Sequence, residues 1–404
     1  MTARFPLMIP FEDARTYVLA RCTRRAPTLT PVSDALGLVT AVEVIAQESI
    51  PPFANTAMDG FAVRSSDVAT VPVQLRIIET IAAGHAPERA VGHGEASRIM
   101  TGAPIPAGAD AVVMVEKTSV SADVVTVEAA VGEGHHIRPA GDDVNLGDLV
   151  FAESTVLTAG HLGVLCSLGM NEIETYPRLR VGVISTGDEL VDDGGVLAPG
   201  QIRDSNRRTL ISLLTTDGFV AVDLGLVHDE EAAIELALLR GADQCDAIVT
   251  SGGVSMGDFD YVKAVLDRVG DMRWMQIAIK PAKPLAFGTI GETPVFGLPG
   301  NPVSSMVSYE LFARPGLRAM MGVPDPIRTA IQGVAAEPLA RRPDGKTHFS
   351  RVSASHEDGR VVIRSVAGQG SHMLTSMARS NALAVLPDGD GYVEGDAVEV
   401  LLLN

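Results

Sequence analysis

Five carboxylates, Asp188, Glu189, Asp229, Asp258 and Asp260, stand in three short stretches, TGDEL, VHDEE and SGGVSMGDFDYV, the first and last of which also carry glycine. Backbone amides released by Gly252 and Gly253, with Ser255 beside them, suit an oxyanion, and a following helix start adds the positive end of its dipole. Clustered carboxylates repel that same anion unless a divalent cation lies between them. Mg²⁺ binds one or two carboxylates together with phosphate oxygens, so the two halves of the pattern are compatible when the ligand is a phosphate ester or anhydride. Two lysines, Lys280 and Lys283 in KPAKP, are framed by prolines that fix φ, and rigid ammonium groups suit the same ligand. GLPGNPVSS, with Pro299 and Pro302, supplies another glycine turn ahead of a helix. Asp229 and Asp258 fit equally well as helix caps, worth ~0.5–2 kcal/mol each. Asp260 lies one step further along and fits a cap poorly.

These stretches need a frame that brings them together. Apolar runs typical of buried strands (LRVGVIST, VAVDLGLV, CDAIVTSGG, PVFGLPGNP) alternate with helical segments (NRRTLISLLTTDG, DEEAAIELALLRG, FDYVKAVLDRVG, VSSMVSYELFARPGLRAMMG). That alternation predicts βαβ units and a parallel, doubly wound sheet, in which the loops at the carboxyl ends of the strands meet at one crevice. The remainder of the chain reads differently. FEDARTYVLARC has helical apolar spacing, and LTAGHLGVLCSLG reads as a helix stopped at Gly169. Residues 51–143 are rich in Val, Ile, Gly and Pro and predict an all-β module. The expected organisation is a helical and linker part (1–50 and 144–177), an inserted β domain (51–143), the α/β domain (178–328) and a C-terminal β-barrel (329–404).

The β module has its own polar positions. Asp59 precedes a glycine in AMDGFAVR, Thr101 stands in MTGAPIP, and HIRPAGDDV carries Arg138 and Asp143. Taken singly, each reads as a turn stabilised by side-chain hydrogen bonds.

Composition excludes several classes. With 32 Lys and Arg against 50 Asp and Glu, the net charge of -18 argues against a nucleic-acid footprint or a basic membrane helix, so an anionic ligand must be met locally. No run of about 18 uncharged apolar residues occurs and the first residues lack a signal-peptide core, which predicts a soluble, cytoplasmic protein. Three cysteines, far apart and without CxxC spacing, predict free thiols. The histidines show no HExxH or HxH spacing and GxxxxGK[ST] is absent, which excludes a zinc site of those kinds and a standard P-loop.

AMDGFAVR, MTGAPIP, IRPAGDDV, STGDEL, QIRDSN, SGGVSMGDFDYV, IKPAKP and GLPGNPVS, in this order, together resemble the molybdopterin molybdenumtransferases, the MoeA family, to which the E domain of gephyrin is related. QGSHMLTSMARSNALAVLP resembles that family's terminal barrel. Each stretch alone is common; the ordered set is specific. The resemblance implies the four-part subunit above, an elongated homodimer whose active site is shared between subunits, and contact with a molybdopterin adenylyltransferase. It implies an Mg²⁺-dependent transferase that takes adenylylated molybdopterin and molybdate, releases AMP and leaves molybdenum on the dithiolene. Carried over by position, it assigns catalysis to Asp260, Asp229, Glu189, Asp59 and Lys280, and the metal to Asp188, Glu189, Asp258 and Asp260. It assigns substrate contacts to Thr101, Arg138, Asp143, Gly252, Gly253, Ser255, Lys283, Pro299, Pro302 and, in the barrel, Arg351.

Three positions depart from the family pattern. Ala282 replaces the glycine of KPGKP, so any need for φ > 0 there would strain the chain; Gln276 replaces a frequent basic residue; Phe61 replaces a tyrosine. Two other readings are an adenylyltransferase, which needs only a compact α/β unit, and a non-catalytic scaffold like gephyrin at synapses. The second has no reason to keep the full set of acids and lysines.

Overall fold

The structure, a computed structural model, describes residues 8–253 and 261–403. Ser255, Asp258 and Asp260 lie outside the described residues. The chain forms two compact units, one of Met1–Thr28, Gly37–Ala41 and Glu174–Asn404, the other of Leu29–Leu36 and Val42–Ile173.

In the first unit a six-stranded sheet runs in the order Val220–Val227, Arg180–Thr186, Ala247–Ser251, Thr293–Leu298, Pro284–Ile290, Asp271–Gln276. The first four strands are parallel, as their continuous apolar runs predict; the last two are antiparallel and form an added edge. The expected parallel sheet is thus mixed. RWMQ and PLAFG alternate too little to reveal the extra strands, because neighbours cover both faces of Pro284–Ile290. Period-two alternation divides the core. Val181, Val183, Ala247 and Val249 pack with Leu210 and Leu214 of the Asn206–Thr216 helix, while Ile184 and Ile248 pack with Ile234 and Leu238 of Glu231–Gln244 and Val265 of Tyr261–Val269. Each fully buried Val, Leu or Ile among them contributes roughly 1.5–3 kcal/mol.

The last helical stretch is α-helical over Pro302–Ser308, widens to a π turn over Tyr309–Ala313 and resumes over Arg314–Met320. Pro315 lacks the N–H that a regular helix would need at that point, which accounts for the bulge. Beyond it, strands Thr347–Glu357, Arg360–Ser365, Ala330–Ala335, Ala397–Leu402 and Ala382–Leu386 pair in succession, and the last pairs back to the first, closing a five-stranded barrel. The Phe11–Leu19 helix forms as its spacing predicts and buries Ala14 and Val18.

The second unit is built on a six-stranded sheet in the order Ala111–Met114, Gly60–Val63, Glu95–Ile99, Val73–Ile81, Val124–Val127, Thr118–Ser121. Phe61, Val63, Leu75, Val113 and Val125 fill one face. Gly60 has no room for a side chain, since a Cβ would lie 2.0 Å from the Val113 carbonyl oxygen. The helix Ala159–Ser167 starts on a Thr158–His161 capping box, and Gly169, at φ 68°, ends its last turn.

Candidate functional site: a carboxyl-edge crevice

Four parallel strands put their carboxyl ends on one edge, so the loops after Thr186, Val227, Ser251 and Leu298 are neighbours. The backbone ties them. The Gly187 amide donates to the Val227 carbonyl and the Gly252 amide to that of Leu298. Gly252 has φ 94° and passes so close to Thr186 that a Cβ would sit 3.1 Å from its carbonyl oxygen. Gly253, at φ 69°, would drive a Cβ to 2.3 Å from Val262. Both glycines are therefore required by geometry as well as suited to an anion. Register places the lysine loop at the same edge: Ala286 pairs with Gly297 and Gln276 with Pro284, so residues 277–283 turn beside Leu298 and Pro299.

Of the five acids, Asp188, Glu189 and Asp229 are among the described residues and lie close together. The Asp229 amide donates to Asp188 Oδ1 at 3.1 Å, and His228 Nδ1 lies 3.3 Å from the same oxygen. Asp229 itself is partly shielded from water. Burial and the nearby charges of Asp188 and Glu189 push its carboxyl above the usual range, against a backbone hydrogen bond from Asp188. Asp229 precedes the Glu231–Gln244 helix, whose N-cap residue is Glu230 and makes no side-chain cap, so capping does not account for Asp229. Like charges held together in this way form a donor set that a divalent cation would relieve. Among the described residues, no group of three or more His, Cys, Asp and Glu side chains converges on a single point.

Behind the acids lies a network that the motif QIRDSN did not disclose. Arg207 is buried and donates to Asp204 at 2.9 Å, to both oxygens of Asp223 at 2.5 Å, and to Asp192. These three carboxylates raise its pKa although burial opposes the charge. Asp204 also accepts from the Ser185 hydroxyl at 3.0 Å and from the Arg207 amide at 3.2 Å, capping the first turn of Asn206–Thr216. Asn206 reaches across, its Nδ2 donating to Ser251 Oγ at 2.8 Å and to the Gly300 carbonyl at 2.7 Å. The available signal was Asp-Ser-Asn at a helix start, which reads as a cap.

The barrel meets this edge in two places. Lys280 is exposed and pairs in register with His348. Ala282, buried between the two lysines, has φ 72°, so the glycine missing from the motif is missing where the backbone is left-handed. Arg351 is shut off from bulk solvent, 0% exposed. Its Nη2 donates to the carbonyls of Gly368 at 2.7 Å and Gly370 at 3.2 Å, while Nε and Nη1 are buried without partners among the described residues. The loop it holds delivers the Ser371 carbonyl to the Val303 amide at 3.1 Å, in the first turn after GLPGNP. Burial lowers the Arg351 pKa.

A cavity of about 1610 Å³ lies in the same unit, lined by Phe11, Arg15, Gln276, Lys283, Glu310 and Lys346 among others. It shares Lys283 with the crevice edge, but none of the described residues of the acidic and glycine loops lines it, so it is a separate feature.

In the second unit, Thr101 donates its amide and its hydroxyl to Asp59 Oδ1. The Gly102 amide bonds to the Thr56 carbonyl and the Ala57 amide to that of His136, weaving the Asp59, Thr101 and Arg138 segments together. Arg138 and Asp143 are exposed, and the Asp143 amide bonds to the Ile50 carbonyl. Phe61, by contrast, is 0% exposed and is core.

A doubly wound sheet with glycine turns and clustered acids at its carboxyl edge, joined to a closed barrel and accompanied by a mainly β unit, defines a protein of the molybdopterin-handling class: residues 182–319 match the probable molybdopterin binding domain. Residues 9–169 match the MoeA N-terminal region (domain I and II) and 332–403 the MoeA C-terminal region (domain IV). The chain belongs to the MoeA family of molybdopterin molybdenumtransferases. It is 39% identical to Molybdopterin molybdenumtransferase 2 of Mycobacterium tuberculosis over 93% of this chain and 92% of that protein. It is 37% identical to the molybdopterin molybdenumtransferase of Haemophilus influenzae over 98% and 99% of the two chains. The crystal structure of a molybdopterin biosynthesis MoeA protein from Pyrococcus horikosii superposes with a TM-score of 0.80 at 28% identity, covering 98% of this chain and 100% of that one.

Proposed function

We propose that this protein carries out the metal-insertion step of molybdenum cofactor synthesis, taking adenylylated molybdopterin and molybdate and releasing AMP as molybdenum passes to the dithiolene. The observation that carries the reading is the joining of acidic and glycine loops at one sheet edge, with the Asp229 amide on Asp188 Oδ1 at 3.1 Å and the Gly252 amide on the Leu298 carbonyl at 3.1 Å. Full-length relatives bearing the transferase name support it.

On this reading the Gly252 and Gly253 turn receives the phosphates, with Ser255 beside it, and the Pro299 to Pro302 turn forms the opposite wall. Lys280 and Lys283 supply positive charge that stabilises the departing phosphate. Mg²⁺, held by Asp188 and Glu189 with Asp258 and Asp260, would neutralise charge developing on the phosphoanhydride. Asp229, already raised by burial and by its acidic neighbours, orients this set through its amide on Asp188. Asp59, Thr101, Arg138 and Asp143 form a second group of substrate contacts, contributed across a homodimer. Cytoplasmic action and contact with the preceding adenylyltransferase fit a labile adenylate. No helix among the described residues is long and apolar enough to cross a membrane.

The test is to supply the purified protein with adenylylated molybdopterin, Mg²⁺ and molybdate and to measure AMP. Wild type should release AMP, and EDTA, Asp188→Asn or Asp260→Ala should suppress it. Absence of AMP from wild type, or an Asp260→Ala variant as active as wild type, overturns the reading. Formation of adenylylated molybdopterin from ATP by this chain would instead make it an adenylyltransferase.

A further inference from the structure

We propose that Asn206 is a positioning residue for the phosphate-bearing ligand, acting by fixing the spacing of two crevice walls and the hydrogen-bond polarity of Ser251. The inference rests on the reading that this crevice binds the adenylate. The amide of Asn206 places both of its hydrogens on groups far apart in the chain, Ser251 Oγ at 2.8 Å and the Gly300 carbonyl at 2.7 Å. The second partner can only accept, so the orientation of the amide is fixed by chemistry. Gly300 and Gly252 stand close enough that a Cβ on the former would lie 3.8 Å from the Cα of the latter, so this bridge spans the place where the two glycine turns converge.

A consequence follows for Ser251, which is 3% exposed at the end of its strand. Its oxygen already accepts from Asn206, so its own hydrogen is left to donate. At the mouth of an anion site that is the polarity required. Asn206 is itself anchored, since the next residue, Arg207, is locked onto Asp204, Asp223 and Asp192.

Calorimetric binding of AMP, together with the KM and kcat of AMP release, in wild type, Asn206→Ala, Asn206→Asp, Ser251→Ala and the Asn206→Ala/Ser251→Ala double variant tests this. Loss of a neutral hydrogen bond predicts AMP binding weakened about threefold to tenfold in Asn206→Ala, with KM raised and the melting temperature nearly kept. Asn206→Asp should be worse, because its carboxylate repels the Gly300 carbonyl and draws the Ser251 hydrogen to itself. The double variant should be no weaker than the poorer single one, the signature of residues acting as a unit. An Asn206→Ala protein with unchanged AMP affinity and KM, or strictly additive effects, overturns the proposal while leaving the functional reading intact. A wild type that binds no AMP overturns both.

Discussion

Thr101 places two hydrogens on one oxygen of Asp59: its amide and its hydroxyl each donate to Oδ1 at 2.7 Å. Both bonds favour the ionised carboxylate. The hydroxyl contributes most, the amide next, and together with Arg98 they hold the carboxyl below its ordinary range against a slight shielding from water. Thr101→Val keeps the shape and the amide but removes the hydroxyl. The titration midpoint of the Asp59 carboxyl carbon, followed by NMR, should rise toward the usual carboxylate range, and AMP release should fall. An unmoved midpoint would remove the hydroxyl from the account.

Ala282 offers a stability test. At φ 72° an alanine carries about 1–2 kcal/mol of strain that glycine avoids. Glycine also frees the unfolded chain, which costs about 0.4–1 kcal/mol. Ala282→Gly should therefore stabilise the protein by about 0.5–1 kcal/mol in chemical denaturation. A loss of stability would show that the loop relaxes to accept the side chain.

His348 should make the protein acid-sensitive. Burial lowers its pKa from 6.5, and the positive charges of Arg341 and Lys280 act the same way, outweighing the hydrogen bond to Asp344 at 3.1 Å. Asp344 already accepts from Arg341 and lies near Lys346, so a third cation adds little. The folded state thus holds this proton more weakly than the unfolded chain. Its contribution is complete above pH 6.5 and is lost as pH falls from there toward the folded value, with a slope of at most about 1.4 kcal/mol per pH unit. Denaturation between pH 7.5 and 5 should show the slope in wild type and a flatter curve in His348→Gln. Parallel curves would place the acid sensitivity elsewhere.

Much of this architecture was legible in the residues. Val181 to Thr186 and Ala247 to Ser251 read as strands buried on both faces, and their order along the chain was enough to bring the acidic and glycine loops to one edge. The antiparallel strands around Trp274 and Leu285 were not, because a short apolar run leaves its direction open. Neither was the Asn206 bridge: local signals mark a helix start, whereas its partners lie 45 and 94 residues away. Ala282 was legible as a departure from a motif, yet only backbone geometry shows that the position is left-handed.

Arg351 presents the sharpest energetic question. A guanidinium that is 0% exposed, with one nitrogen on two carbonyls and two nitrogens without partners among the described residues, carries a charge whose desolvation is poorly compensated. Packing alone does not explain it, since replacing such a group by an apolar residue of similar volume is often neutral or stabilising. Retention of the charge makes sense if an oxyanion completes its bonds, and the loop it holds reaches the Val303 amide beside the Pro299 to Pro302 turn. Arg351→Met should then melt at or above the wild-type temperature while losing about 10–100-fold in turnover, the equivalent of one charge-assisted contact of ~1.5–3 kcal/mol. Molybdate should raise the melting temperature of wild type and leave that of Arg351→Met unchanged, because a ligand stabilises only the state it binds. Should the variant melt far below wild type yet keep the molybdate response, the arginine is a brace for the barrel loop and the anion is held by the lysines.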